Sequence, residues 1–63
     1  MTPREVMNRL RREGWAERSS KGSHVIFRKD SRTVVVPNHR GDLRTGTLRR
    51  IYRDAGWDWL VRG

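Results

Sequence analysis

Apolar residues are sparse along this chain, and they follow two different rhythms. Val6, Met7 and Leu10 recur at i, i+1, i+4, with charged residues around them, which is a narrow helical stripe. The segment opens Thr2-Pro3-Arg4-Glu5. That is a T-x-x-E capping box with proline at the first helical position. Gly14 is a natural stop, so a helix is predicted over the first 14 residues. The rhythm then shifts towards a period of two. Trp15 to Arg18 reads as a short strand, ended by the polar loop Ser19-Ser20-Lys21-Gly22. His24 to Arg28 alternates, with Val25 and Phe27 on one face and His24, Ile26 and Arg28 on the other. Lys29-Asp30-Ser31 is a turn. Thr33 to Val36 is β-branched throughout and closes at Pro37.

Residues 37–44 have no period and read as a loop. Leu48, Ile51, Tyr52 and Ala55 then fall at i, i+3, i+4, i+7, a helix starting near Thr45 and stopping at Gly56. Trp57, Asp58 and Trp59 follow, with the indole rings expected over the core edge and Asp58 as cap of a last turn. The sum is an α+β domain of order α-β-β-β-α. Both connections between strands are hairpin-sized, so the sheet is antiparallel with order 1-2-3. Two helices with single apolar stripes bury them on one face of that sheet and leave the other open. Trp15 is expected in the core.

Length and charge narrow the function. At 63 residues the chain is one small domain, 1–63, with a marginal core. Deep two-lobed clefts and dinucleotide folds are excluded. The absence of cysteine removes disulfide scaffolds, thiol catalysis and cysteine zinc sites. With two histidines, no metal-ligand cluster is expected, and no cofactor. The charged N-terminus is unlike a signal peptide and no apolar run is long enough to span a bilayer. A soluble cytoplasmic protein is therefore expected, with no membrane partner. The net charge is +8, and 13 of the 15 cations are arginine. Guanidinium forks match phosphate oxygens and stack on bases, so nucleic acid is the expected partner.

Acid–base work near neutral pH falls to His24, His39 or a perturbed carboxylate. Alternation places His24 off the core face, with Lys21 just before it, Arg18 across the hairpin and Arg28 on its own strand face. Such a constellation suits RNA strand scission, where the 2′-hydroxyl is the internal nucleophile. The reaction needs a base, cations for the phosphorane charge and an acid for the leaving oxygen. Read from spacing alone, a single histidine on a strand is more often an ordinary surface or hydrogen-bonding residue than a catalyst.

The motifs add what spacing does not. Lys21-Gly22-Ser23-His24, then Val36-Pro37-Asn38-His39-Arg40-Gly41, then Leu43, Gly46-Thr47-Leu48-Arg49-Arg50-Ile51 and Ala55-Gly56 resemble the HicA (YcfA-like) toxin family over residues 3 to 57. The resemblance implies a double-stranded-RNA-binding-domain-like fold, whose order matches the α-β-β-β-α reading. It implies an mRNA interferase, a toxin that cleaves mRNA, whose partner is a HicB antitoxin and whose catalytic residue is the histidine of the GSH motif, here His24. Two features depart from the family pattern: the Trp57-Asp58-Trp59 tail and the strongly basic second helix.

Lys21, Arg18, Arg28 and Arg40 are the expected RNA contacts, with Gly22 and Ser23 in the turn beside His24. Gly22 suits a positive φ or a close approach to the RNA backbone. His39 is an accessory acid–base or phosphate group, or a loop residue whose ring holds the 37–43 turn; the loop role is preferred. Gly46-Thr47 at the helix start could bind phosphate through free N–H groups. Capping by Thr45 or Thr47 is the preferred expectation. Arg4, Arg9, Arg11, Arg12, Arg50 and Arg53 are expected on solvated helix faces. The general acid is open among Lys21, His39 and water. A homodimer and a toxin–antitoxin hetero-oligomer both stay open. The competing reading is a non-catalytic or decayed RNA-binding module; a DNA-binding regulator is weaker, because three strands separate the helices.

Overall fold

The computed structural model describes residues 1–59, and of Ser19, Ser20 and Lys21 the backbone alone. Its elements are α1 (Pro3–Arg12), β1 (Ala16–Lys21), β2 (His24–Lys29), β3 (Arg32–Pro37) and α2 (Thr45–Ala55). The strands form one antiparallel sheet in the order β1-β2-β3.

The capping box forms as the sequence predicts. The Glu5 N–H donates to Thr2 Oγ1 at 3.2 Å and the Thr2 N–H to Glu5 Oε1 at 2.9 Å. Two otherwise orphaned donors are thereby satisfied where α1 begins. Val6, Met7 and Leu10 form the buried face of α1. Across the sheet, Val25 pairs with Val36 and Phe27 with Val34, and all four point into the core. Trp15, Leu43, Ile51, Ala55 and Trp57 complete that core, with Leu48 and Tyr52 at its rim. Both helices therefore cover one face. The other carries His24, Ile26, Arg28, Thr33, Val35 and Pro37 on alternating positions, with Val35 39% exposed.

The first strand differs from its expected span. It runs to Lys21, and Ser19-Ser20-Lys21 pairs with β2 rather than looping. Polar residues are compatible with an edge strand because the backbone joins the ladder whatever the side chain. The connection is therefore Gly22-Ser23 alone, with Gly22 at φ +59°, a conformation a residue with a Cβ adopts at a cost. A β-bulge lies within β1: Glu17 opposes Phe27, but the next pair is Ser19 with Ile26. Arg18 is the extra residue. The bulge shifts the register by one, so Lys21 opposes His24 where Ser20 would otherwise stand.

The segments flanking α1 and α2 are fastened to the rest of the domain. Trp57 Nε1 donates to Glu13 Oε1 at 2.6 Å, just past the end of α1. The Arg9 guanidinium lies 4.0 Å from the Trp57 ring centroid, so Arg9 is half-buried against an aromatic face rather than solvated. Gly56 closes α2 in the left-handed region, as expected, and residues 57–59 then run without a further helical turn. At the other end, the Leu43 N–H donates to the Met1 carbonyl at 2.8 Å and the Met1 amine lies 3.6 Å from Asp42.

Candidate active site

His24 opens β2, directly after the Gly22-Ser23 turn, and its side chain is exposed. The sheet register sets its neighbours: Lys21 on β1 and Pro37 on β3. Pro37 ends β3, and the loop after it stays close to the turn, because the Asn38 N–H donates to the Ser23 carbonyl at 2.5 Å. The G-S-H and V-P-x-H-x-G segments are thus joined by a backbone hydrogen bond.

The third side of the site comes from α2. That helix packs against β3, an edge strand. His24, Val35, Pro37, Thr47, Arg50 and Ile51 line one concavity of about 200 Å³. Small-molecule sites are roughly 300–1,000 Å³, so this one suits a local part of a larger, polymeric ligand. No carboxylate is among these lining residues.

Arg50, expected on a solvated helix face, is exposed there and also lines the concavity with His24. Thr47, Arg50 and Ile51 stand at i, i+3 and i+4 and so share one helix face. That spacing was visible in G-T-L-x-x-I, but nothing local says which strand the face meets. The start of α2 also differs from expectation. Arg44 is the N-cap, and no side chain accepts from the first turn, so neither Thr45 nor Thr47 caps the helix. No acidic residue lies in that turn either. Its free N–H groups and the positive end of the helix dipole favour an anion, and Thr47, in the same turn, lines the His24 concavity.

The other expected site residues are dispersed. Arg18 sits at the bulge, level with Ile26 and Phe27, and is not across from His24. Arg28 pairs with Ala16 and Thr33, four residues further along β2, ~13 Å away at strand spacing. Arg40 is exposed in the loop after β3. The His39 ring places Nδ1 2.9 Å from the Arg40 carbonyl, a contact that needs the Nδ1–H tautomer. That is local loop bonding, and His39 is not among the residues lining the His24 concavity. Lys21 opposes His24 by register, while its side chain lies outside the described residues. Among the described residues, no group of three or more His, Asp or Glu side chains is placed to share a metal ion. No helix among them is long and apolar enough to cross a membrane.

A three-stranded antiparallel sheet with two helices on one face, in the order α-β-β-β-α, places this chain among the double-stranded-RNA-binding-domain-like α+β proteins. The family model described as HicA toxin of bacterial toxin–antitoxin matches residues 3–57, and the chain belongs to that family. It is the toxin side of a toxin–antitoxin system. No curated protein matches the sequence.

Proposed function

We propose that this toxin is an endoribonuclease that cuts mRNA without a metal ion, with His24 as general base, and that a HicB antitoxin neutralises it. The observation that carries this reading is the shared concavity of His24, Arg50 and the first turn of α2. An exposed imidazole there shares the concavity with Arg50 and with Thr47 of an uncapped helix start. A proton acceptor therefore lies beside groups that hold negative charge.

In the proposed reaction, His24 takes the proton of the RNA 2′-hydroxyl. The 2′-oxygen attacks the adjacent phosphorus, and the bond to the 5′-oxygen breaks as that oxygen gains a proton. The products are a 2′,3′-cyclic phosphate and a free 5′-hydroxyl. Arg50, with the N–H groups at the start of α2, stabilises the charge that builds on the phosphorane oxygens. Lys21, His39 and water are the candidates for the proton donor. The site lies at the edge of the sheet rather than in a deep cleft. An antitoxin with an acidic surface would block it by covering His24 and Arg50.

The test is RNA cleavage in EDTA by wild type, His24→Ala and Arg50→Ala. Loss of a general base costs about 10²–10⁴-fold, and loss of an oxyanion-holding group about 10²–10³-fold. A 2′-deoxy substitution at the scissile nucleotide should abolish cleavage while leaving binding intact. Cleavage at the wild-type rate by a folded His24→Ala protein would overturn the assignment. Intact RNA with wild-type protein, bound but uncut, would favour the non-catalytic reading.

A further inference from the structure

A second concave surface lies on the outer side of α2. Gly46, Arg49, Arg50, Arg53, Trp57 and Trp59 line a groove of about 670 Å³. Arg50 lines this groove and the His24 concavity alike, so the two adjoin at its side chain.

The aromatic side of the groove is preorganised. Trp57 is buried and held by Glu13 and Arg9. The Tyr52 ring stands edge-on between the two indoles, 5.1 Å from Trp57 and 4.9 Å from Trp59, with interplanar angles of 88°. Trp59 is thereby positioned by a cluster of three perpendicular rings, yet it is 38% exposed. An aromatic ring held in place and open to solvent loses little entropy when it receives a flat partner. The basic side is equally ordered by the helix. Arg49 and Arg53 are one turn apart, and the Arg49 guanidinium lies 5.8 Å from the Trp59 ring centroid. Arg53 is 77% exposed, and its one acidic neighbour among the described residues, Asp54, is 3.9 Å away.

Resting on the reading of this toxin as an RNA-cutting enzyme, we propose that this groove is a track for single-stranded RNA. One base stacks on Trp59, Arg49 and Arg53 hold adjoining phosphates, and the strand enters the His24 site past Arg50. The chemistry favours a single strand over the other polyanions. A duplex offers its phosphates but keeps its base faces stacked inside, so Trp59 gains no partner from it. An acidic protein segment satisfies the arginines but leaves the exposed indole face without a flat ring. A wall shared with the site of scission is what a strand needs, since the backbone must run from one feature to the other past Arg50.

The experiment uses the full chain carrying His24→Ala, so that RNA stays intact. Fluorescence anisotropy measures its binding to a labelled single-stranded oligoribonucleotide and to the same strand annealed to its complement. Adding Trp59→Ala is expected to weaken single-strand binding about tenfold, within the range for one stacked base. Trp59→Phe restores most of it. Adding Arg53→Ala lowers the slope of log affinity against log salt by about 0.7, one phosphate's share on a single strand. Duplex binding is insensitive to Trp59→Ala. If Trp59→Ala fails to fold, the exposed Arg49→Ala and Arg53→Ala carry the test. Unchanged single-strand affinity in these folded variants overturns the proposal. So does an equal loss on duplex, or loss of an acidic protein partner with RNA binding intact. Cleavage by His24→Ala is scored separately. A variant that still cuts removes the catalytic reading and leaves the track; normal RNA binding by Trp59→Ala removes the track and leaves the catalytic reading.

Discussion

The Glu13 carboxylate accepts the Trp57 indole N–H at 2.6 Å and the Arg9 guanidinium N–H at 3.0 Å, while Lys29 Nζ donates to the Glu13 backbone carbonyl at 2.7 Å. The bond from Trp57 holds its carboxyl below the ordinary value of 4.5; Arg9 and Lys29 add to this, and burial opposes it. The sign follows from linkage. A carboxyl whose folded pKa is depressed contributes stability above its unfolded pKa, and loses it as pH falls through the folded value. Glu13→Gln keeps an acceptor for Trp57 but removes the charge. It is expected to cost ~1 kcal/mol at neutral pH, for a charge-assisted bond that is partly exposed. It is also expected to flatten the loss of stability between about pH 5 and pH 3. Urea midpoints at both ends check this, provided the slope is unchanged. Parallel acid loss in variant and wild type would refute the role. Arg9 and Glu13 are an i, i+4 pair, but Trp57 lies far along the chain from both, and no periodicity joins it to them. By contrast, Val25, Phe27 and His24 were legible as opposite faces of one strand, because alternation is a local property of the backbone.

At the scale of elements, α1 shows how much a local signature can say. Thr2, Pro3 and Glu5 interact within one turn, and the capping box appears with both hydrogen bonds. Thr2→Ala is expected to destabilise the domain by ~1 kcal/mol. In a domain of this size that lowers Tm by roughly 4–8 °C. A change of under about 1 °C would mean that packing, not the cap, holds the first turn. β1 shows the opposite case. Its polar half looked like a loop, since Ser19, Ser20 and Lys21 have no apolar alternation. The strand is extended by its partner's ladder rather than by its own side chains. The bulge at Arg18 has no sequence mark either, yet it decides which residue opposes His24. The start of α2 was misread for a related reason: threonines near a helix start suggest a cap, but the helix begins one residue after Arg44, leaving Thr45 and Thr47 inside the first turn.

On the scale of the whole molecule, a charge of +8 spread over 63 residues draws any nucleic acid. Its distribution matters more than its size. RNA affinity should fall steeply with salt, as counterions are released from each neutralised phosphate. Arg50→Ala and Arg53→Ala should each reduce the salt slope, whereas Arg4→Ala, on exposed α1, should leave it unchanged. Titrations at several salt concentrations measure this. Equal effects at all three positions would mean a diffuse field rather than a track along α2.

The sequence by itself determined the elements, their apolar faces, the antiparallel order and the placement of His24 off the core. Those features rest on spacing within a turn or a strand, where backbone geometry is fixed over a few residues. Only the tertiary structure decided that Thr47 and Arg50, on α2, line one concavity with His24, on β2, and that Trp57 closes back on Arg9 and Glu13. Such meetings depend on which faces bury together and on a one-residue shift in sheet register. Both are set by packing of the whole chain, and neither leaves a local trace.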